Sequence, residues 1–298
     1  VSQNGIFLLG PTIMEYDTDE QKERFLKPMA AGDEIWAQAW SEPGAGSDMA
    51  AIRSKAVRDG DAYVITGQKI WSSRAVFADW CFGLFRTDPE SSRHHGLSKI
   101  LVPLDSPGLT VRPIAQLDGD PGFAELFFDE VRVPVDNLLG PEHGGWGVAM
   151  ATAGFERGLL LRSPARFQAA AARLVKLYKQ NANRLSSGIK EQVLQAWGDT
   201  ERFTAATYAL VAQVDSGASI SSEASANKIF WSEMDRAMHR TAMTIMGMHA
   251  ELEEGEGAIE NGRWLDGYMF SLAGPIYAGT NEIQRNILAE RVLGLPRQ

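Results

Sequence analysis

The sequence has a single cysteine, Cys81, in 298 residues. One thiol cannot form an internal disulfide, and such sparing use of cysteine fits a reducing compartment. No apolar run approaches the length of about 18 residues that a membrane-spanning helix needs. Residues 1–10 show neither the basic stretch nor the cleavage site of a secretory signal. We therefore expect a cytoplasmic protein without a membrane span.

Positive charge is also in deficit. The chain has 29 Lys and Arg residues against 38 Asp and Glu residues, which gives a formal net charge of −9. This balance argues against binding to nucleic acid or to an anionic membrane surface. The five histidines lack the spacing of metal ligands, so no metal site is predicted. A hydrophobic fraction of 44% is ample for a core and excludes a disordered chain.

The opening segment, residues 1–34, has the pattern of helices. The letters T-D-E-Q at residues 18–21 form a capping box, with a hydroxyl at the N-cap and an amide three residues later. Phe25 and Met29 then share one helix face. Pro28 and Gly32 are predicted to end this helix.

Short β-rich segments separated by turns follow from about residue 34. They lie at residues 54–58, 63–66, 80–85, 98–103, 109–113 and 124–133. Among the turns, R-D-G-D at residues 58–61 is the clearest hairpin signal. Pro134 closes the last segment, because proline is tolerated only at the edge or end of a strand. Strands at this spacing predict an antiparallel barrel or sandwich.

Helical periodicity returns after residue 144 and persists to the end of the chain. The helical segments lie at residues 145–162, 164–181, 189–217, 221–248 and 280–292. Long helices with short connections are typical of a bundle. The predicted class is an α+β multi-domain protein, with a helical part at residues 1–34, a β-barrel domain at 35–138 and a four-helix-bundle domain at 139–298.

Three short motifs stand out from this background. The first, W-S-E-P-G-A-G-S-D at residues 40–48, combines two glycines and a proline with two hydroxyls. We expect a tight loop whose N–H groups suit an anionic or carbonyl-rich ligand, although the same letters alone are compatible with an ordinary turn. The second motif is G-Q-K-I-W-S-S at residues 67–73, and the third is I-Y-A-G-T-N-E-I-Q-R at residues 276–285.

Together the three motifs resemble the acyl-CoA dehydrogenase family, and the resemblance covers about residues 1–298 in the expected order. It implies a three-domain fold of helices, β-barrel and helices. It also implies bound FAD, an acyl-CoA substrate and electron transfer to an electron-transfer flavoprotein. Because family members have further helices before this point, we expect Val1 to lie inside the N-terminal helical domain.

The reaction implied by the resemblance is α,β-dehydrogenation of an acyl-CoA thioester to the trans-2-enoyl-CoA. Many members carry the base as Glu in Tyr-Glu-Gly-Thr, where this chain has Ala278. Other members use a Glu directly before an Arg in an earlier helix, which matches Glu156 and Arg157. We predict that Glu156 is the base. The alternative is a solvated helix Glu paired with an Arg, but apolar neighbours on both sides make that reading less favourable.

The resemblance also implies roles for other residues. Ala278 keeps its backbone N–H, which in the family polarises the thioester oxygen, and Gly279 and Thr280 open a helix whose N–H groups favour anions. The implied FAD contacts are Trp40, Ser41, Ser47, Trp71, Ser73, Thr280 and Glu282, and the implied substrate contacts are Ser47, Arg157 and Gly279. For Trp71 the alternative is a barrel-core residue, and for Thr280 a simple N-cap.

Three family motifs on the inter-subunit side of the flavin are absent. The family's Arg-x-x-Phe-Gly is replaced by R-F-Q at residues 166–168 and alanines. Its Gln-x-x-Gly-Gly is replaced by T-I-M-G-M at 244–248, and Arg-Asp by M-F at 269–270. We therefore expect a homo- or hetero-oligomer. Bacterial members of this kind often form mixed α2β2 assemblies, in which one chain type supplies the catalytic Glu. In such an assembly this chain would not complete the flavin site of its partner.

Two further functions compete with the dehydrogenase. A flavin monooxygenase or nitroalkane-type oxidase on the same fold also lacks the Tyr-Glu-Gly-Thr carboxylate, but leaves Glu156 and Arg157 unexplained. A non-enzymatic structural subunit would explain the lost inter-subunit motifs, but not the retained Ser41, Trp71 and Thr280.

Overall fold

A computed structural model describes residues 3–160, 163–217 and 223–296, without the side chains of residues 156–160. The chain divides into two compact units, Val1–Glu156 and Arg157–Gln298. The order of helices, sheet and helices along the chain confirms the predicted α+β class. The division into three domains at residues 34 and 138 stays a prediction.

The first unit opens with helices, as predicted. A π-helical stretch, Asn4–Leu9, leads into α1 (Gly10–Tyr16) and α2 (Asp19–Ala31). The capping box is confirmed, since Gln21 N donates to Thr18 Oγ1 (3.3 Å) and Thr18 N donates to Gln21 Oε1 (3.1 Å). Gln21 also donates from Nε2 to the carbonyl oxygens of Asp136 (2.7 Å) and Leu138 (2.9 Å). The cap therefore ties the start of α2 to the end of the sheet.

The prediction that Pro28 helps to end α2 was wrong. Pro28 lies inside the helix, which continues to Ala31 and stops at Gly32 with φ 80°. A proline removes one helical hydrogen bond, and tertiary packing here offsets that loss. Phe25 and Met29, on either side of Pro28, are 4% and 2% exposed. The apolar face of α2 thus holds the helix together across the proline.

An aromatic cluster joins α2 to the sheet. The ring centroids of Phe25 lie 5.6 Å from Trp36 and 5.4 Å from Trp80, both in edge-to-face geometry. The two tryptophans stack at 5.4 Å. Edge-to-face and offset-stacked pairs of this kind add about 0.5–1.5 kcal/mol each beyond simple burial.

Within the described residues, eight strands form one sheet in the order β6-β7-β3-β2-β4-β5-β8, with β1 paired to β4. The strands are β1 (Trp36–Ala39), β2 (Lys55–Asp59), β3 (Ala62–Ser73), β4 (Trp80–Arg86), β5 (Leu97–Pro103), β6 (Leu109–Ile114), β7 (Phe123–Pro134) and β8 (Leu138–Leu139). All six predicted segments fall in strands, and Gly60 with φ 63° turns the predicted β2–β3 hairpin. Pro134 ends β7, as expected.

Two strand pairs differ from a purely antiparallel pattern. Strands β1 and β4 run parallel, with Trp36 opposite Trp80, and β2 meets β4 in parallel at Lys55 and Arg86. Neither β1 nor β8 was predicted as a strand, because a four-residue and a two-residue strand carry too little alternation to be recognised.

Helix α3 (Gly145–Leu160) begins directly against β5. A Cβ atom added at Gly145 would lie 2.6 Å from the Cα and carbonyl carbon of Ser98 and 2.7 Å from the nitrogen of Lys99. Such distances are far below van der Waals contact, so only glycine permits this approach. The absence of a side chain at Gly145 therefore sets how closely α3 packs on the sheet.

The second unit is helical. It contains α4 (Pro164–Asn181), α5 (Ser187–Asp215), α6 (Glu223–Met246), α7 (Arg263–Ala273) and α8 (Asn281–Arg291). Its core includes Phe167, Phe203, Trp231 and Trp264, each 0% exposed. The helices predicted at 164–181, 189–217, 221–248 and 280–292 are confirmed within the described residues. No helix in those residues is long and apolar enough to cross a membrane.

Helix α7 was not predicted. It is short, begins after the left-handed Gly262 without a side-chain cap, and contains a second glycine, Gly267. A Cβ atom at Gly267 would lie 2.4 Å from Nε2 of His239. Gly267 weakens the helical pattern in the sequence, but its lack of a side chain is needed for the close packing of α7 on α6.

Gly145→Ala is expected to lower the free energy of unfolding by about 1–3 kcal/mol, because the new methyl group forces α3 away from β5. The matched control is Gly147→Ala in the same helical turn, where nothing lies within 4 Å of the added atom. The control should be neutral or stabilising by up to about 1 kcal/mol. Urea denaturation of both variants measures the difference, and equal effects would contradict this close approach.

Candidate functional site

The first motif is a loop that is anchored by the hydrogen bonds of a buried carboxylate. Glu42 is 9% exposed. Its Oε2 accepts a hydrogen bond from Arg53 N (2.7 Å), and its Oε1 accepts from Ser54 N (2.9 Å) and from Lys69 Nζ (2.8 Å). The carboxylate therefore links the loop to the chain before β2 and to the second motif on β3.

Lys69 uses all three of its ammonium protons at this point. Besides Glu42, its Nζ donates to the carbonyl oxygens of Trp40 (3.2 Å) and Leu84 (2.6 Å). Burial lowers the pKa of Lys69 to about 8, against the attraction of Glu42. Burial alone would raise the pKa of Glu42, but Lys69 and the two backbone N–H groups lower it below its ordinary value. Both groups are therefore charged at neutral pH.

Above this ion pair the loop makes a tight turn. Glu42 N donates to Ala45 O (3.1 Å) and Ala45 N donates to Glu42 O (3.0 Å), so the turn reading of the motif is correct. Nothing lies within 4 Å of a Cβ atom added at Gly44. Ser47 is exposed. The turn therefore leaves open space around its backbone, which also suits a ligand-binding loop.

The first two motifs lie side by side. Ile70 N donates to Ser41 O at 2.9 Å, which brings the half-buried Ser41 next to β3. The half-buried Ser73 lies at the end of the same strand, where its carbonyl oxygen accepts from Asn4 Nδ2 at 3.4 Å. Trp40 is 7% exposed and contributes its carbonyl to Lys69.

The barrel-core alternative for Trp71 is wrong. The residue is 56% exposed and has φ 59°. The pairing of β3 with β7 shifts register between Lys69 and Ser72, and this bulge turns the Trp71 side chain outward while Ser72 is fully buried. Phe123 contacts the indole in edge-to-face geometry at 6.0 Å. A large aromatic side chain is thus held at the surface.

The third motif, in the second unit, contains two successive left-handed residues. Ala278 has φ 54° and Gly279 has φ 76°. Gln284 Nε2 donates to both of their carbonyl oxygens, at 3.2 Å and 3.4 Å. Among the residues that the structure describes, no acceptor lies within hydrogen-bond reach of the Ala278 N–H. The turn therefore presents an unused backbone donor at the predicted position.

Thr280 is an N-cap, which confirms the simpler reading of that residue. Its Oγ1 accepts from Ile283 N at 3.2 Å at the start of α8. The buried Asn281 accepts at Oδ1 from Lys228 Nζ (2.8 Å) and Ser232 Oγ (3.2 Å), which fixes α8 on α6. Burial lowers the pKa of Lys228 to about 8. The side chain of Glu282 is 79% exposed and lies 3.9 Å from Arg285.

Glu156 and Arg157 lie on α3, but their side chains are outside the described residues. Their predicted roles stay predictions. The exposed Gly279 follows Ala278 in the turn. Sequence reasoning missed the pairing of Glu42 with Lys69. The available signal was a lysine that alternates in phase with Tyr63 and Ile65, which are buried in the same strand, because an inward-facing lysine needs a buried counter-charge.

The residues present fit a flavin in each unit separately. In the first, the exposed indole of Trp71 offers a flat aromatic face, and Ser41 and Ser73 offer hydroxyl groups. In the second, the Ala278 N–H offers a donor for a carbonyl oxygen, and the positive end of the α8 dipole favours a phosphate, although the N–H groups of Asn281 and Ile283 are already bonded to Pro275 O and Thr280 Oγ1. Aromatic faces and clustered donors are what a planar ring system with a diphosphate tail requires.

Comparisons with known proteins agree with these features. A model of the acyl-CoA dehydrogenase middle domain matches residues 37–131, and one of the C-terminal domain matches residues 143–293. The chain is 41% identical to the acyl-CoA dehydrogenase IpdE1 of Mycobacterium tuberculosis. The alignment of 299 residues covers 100% of this chain and 76% of that protein.

Solved structures are similar over nearly the whole chain. The Tcur3481-Tcur3483 steroid ACAD has a TM-score of 0.93 at 30% identity, covering 99% of this chain and 77% of that chain. The ChsE4-ChsE5 complex from Mycobacterium tuberculosis has a TM-score of 0.88 at 32% identity, covering 100% and 78%. The fold and these matches define an oxidoreductase, and the chain belongs to the acyl-CoA dehydrogenase family. Members of this family are FAD-dependent flavoproteins.

Glu42→Gln is expected to lower the free energy of unfolding by about 3 kcal/mol at pH 7, because Lys69 then remains buried without a counter-charge. The stabilisation from Glu42 is complete above its ordinary pKa of 4.5 and is lost as pH falls through its lowered pKa. Urea denaturation at several pH values should show this slope in the native protein and not in the variant.

The matched control for Glu42→Gln is Asp59→Asn, which breaks the exposed pair between Arg132 and Asp59 (2.8 Å). Its effect should stay below about 0.5 kcal/mol. Equal losses in the two variants would show that the loop does not depend on the buried pair.

Proposed function

We propose that this chain catalyses FAD-dependent α,β-dehydrogenation of an acyl-CoA thioester to the trans-2-enoyl-CoA and passes the electrons to an electron-transfer flavoprotein. The observation that carries the proposal is Ala278, whose unused N–H is held by a left-handed backbone and by two hydrogen bonds from Gln284. A non-glycine residue in this conformation costs about 1–3 kcal/mol and is typical of functional sites. A preorganised donor of this kind suits a developing enolate oxygen.

FAD contacts are proposed within each unit separately. In the first, Trp71 would contact the flavin ring, the Ser41 and Ser73 hydroxyls and the Trp40 backbone would bind its polar edge, and Ser47 would lie at the diphosphate and acyl-CoA entrance. In the second, the proposed contacts are Thr280 and Glu282 at the start of α8. When bound, FAD supplies the acceptor for the hydride from the β carbon.

Residue 278 cannot be the base in this chain, because the methyl group of Ala278 cannot accept a proton. We assign this task to Glu156, with Arg157 and Gly279 contacting the substrate. An α proton beside a thioester is a very weak acid, so a carboxylate needs a raised pKa as well as donors on the thioester oxygen. An apolar setting would raise it by disfavouring the charged form.

Anaerobic titration with a panel of acyl-CoAs, followed by flavin absorbance, tests the reaction. We expect one acyl-CoA to bleach the native protein, and Glu156→Gln to keep its flavin but to be reduced at least about 100-fold more slowly. The control is Glu201→Gln, at an exposed position of α5, which should be reduced like the native protein.

Equal bleaching of Glu156→Gln and the native protein would remove Glu156 from the mechanism. If no acyl-CoA bleached a flavin-containing protein and its reduced flavin reacted rapidly with O₂, the oxidase alternative would replace the dehydrogenase.

The partner in this proposal is a second, different chain, and the substrate is a steroid-derived acyl-CoA. Two similar structures are two-chain assemblies, and one is named a steroid ACAD. Where the inter-subunit motifs are lost, the second unit exposes apolar side chains, with Met248 92% exposed and Phe270 49% exposed. These two side chains are available for contact with a partner chain.

For such a mixed assembly we expect about one FAD for every two chains, since only one type of interface completes the flavin site. The ratio of released-flavin absorbance to chain concentration in the purified assembly gives this number directly. A homotetramer with one tightly bound FAD in every chain would overturn the mixed assembly.

A further inference from the structure

We propose that Lys99 and Thr152 are positioning residues that fix helix α3, and through it the acid at residue 156, against strand β5 and helix α1. The inference rests on the proposed function for the role of residue 156. The contacts themselves lie entirely within the first unit and involve only described side chains.

Lys99 is a fully buried lysine in the middle of β5. Its Nζ donates to Thr152 Oγ1 at 2.5 Å. The same ammonium group lies 4.9 Å from the ring centroid of Phe82 and 5.5 Å from that of Trp40. Because a buried cation is costly unless it is well solvated by protein groups, its side chain is confined to this orientation.

The hydroxyl of Thr152 is where three elements meet. Thr152 Oγ1 donates to Val148 O within α3 at 2.9 Å and lies 2.8 Å from Thr12 Oγ1 on α1. A threonine hydroxyl has one proton and two acceptor positions. With its proton on Val148 O, it accepts from Lys99, and it accepts from Thr12 when the Thr12 hydroxyl turns its one proton away from Leu8 O, which lies 2.7 Å from Thr12 Oγ1. One side chain of α3 is therefore joined to both β5 and α1.

Asp17, at the end of α1, supplies the opposing charge. It is 8% exposed. Burial raises the pKa of Asp17 to about 7, while the Gly140 backbone, Lys99 and Lys22 act to lower it. Burial lowers the pKa of Lys99 to about 7, against the attraction of Asp17. The attraction between the two groups therefore offsets only part of the cost of burying them, because burial remains the larger influence on both pKa values.

Residue 156 follows Thr152 by four positions, so it lies one turn later on the same face of α3. The rise of about 1.5 Å per residue places it about 6 Å further along the helix axis. Gly145 fixes the start of α3 on β5, and Thr152 fixes its middle. A rotation or shift at Thr152 is therefore transmitted to residue 156, and a displacement of about 1 Å is enough to slow a reaction by about 100-fold.

The test compares Thr152→Val, which keeps the shape but removes the hydroxyl, with Thr152→Ser, which keeps the hydroxyl. We expect Thr152→Val to slow anaerobic flavin reduction by at least about tenfold with the acyl-CoA dissociation constant changed by less than about twofold, and Thr152→Ser to restore the rate. Hydrogen exchange of α3 amides, read by mass spectrometry, should rise in the Val variant and not in the Ser variant.

Lys99→Met should repeat the effect of Thr152→Val, and Lys55→Met, at an exposed position of β2, is its control. Should the unpaired lysine unfold Thr152→Val, the double variant Lys99→Met with Thr152→Val removes the lysine together with its hydroxyl partner. At about pH 6 the buried Asp17 carboxyl, whose pKa burial raises to about 7, is mostly neutral, so this variant should fold while still reducing its flavin slowly. Native rates and native α3 exchange in a folded Thr152→Val or double variant would overturn the proposal. The flavin-reduction rate of Glu156→Gln, measured in parallel, distinguishes the two proposals. If Glu156→Gln is reduced slowly and Thr152→Val is reduced at the native rate, only the positioning role fails. If Glu156→Gln is reduced at the native rate, the assignment of the base fails.

Discussion

The buried ion pair between Lys69 and Glu42 is the constraint on which the first unit's candidate site depends. It joins residues 27 positions apart in sequence, at 2.8 Å. An isolated buried charge is costly, so each partner is stable inside the protein only while the other is present. Because Lys69 also binds the carbonyl oxygens of Trp40 and Leu84, the loop, β3 and β4 share one centre. Ser41 is adjacent to Glu42, and Trp71 follows Lys69 by two residues, so the pair holds the backbone next to both.

Two non-glycine residues with left-handed backbone lie at predicted site positions, and each is held by bonds elsewhere. Trp71, with φ 59°, lies in the bulge between β3 and β7, whose register shifts next to Lys69. Ala278, with φ 54°, is held by Gln284 through two carbonyl oxygens. Strain of this kind persists only where surrounding contacts over-determine the conformation. In both cases it exposes a group, an indole or an N–H, that a relaxed backbone would direct elsewhere.

Features encoded by neighbouring residues could be predicted from the sequence, and features that depend on distant contacts could not. The T-D-E-Q capping box, the hairpin at residues 58–61 and the Thr280 cap each need only a few consecutive residues, and all were found. The pairing of Glu42 with Lys69 and the exposure of Trp71 depend on strand register and a bulge, which no local pattern fixes. Pro28 shows the converse, because packing of α2 overrode a reliable local signal. The roles of Glu156 and Arg157 came from resemblance alone and stay predictions.

Because residue 278 has no carboxylate, a different part of the fold must position the base. With Ala278 the turn needs only to hold its N–H, and a methyl group serves that purpose as well as a longer side chain. If Glu156 is the base, its placement depends instead on α3, and α3 is set by the first unit. Gly145 controls the distance to β5 by having no side chain, whereas Thr152 controls rotation through directional hydrogen bonds. A distance constraint and an angular constraint on one helix together restrict where a residue one turn later can lie.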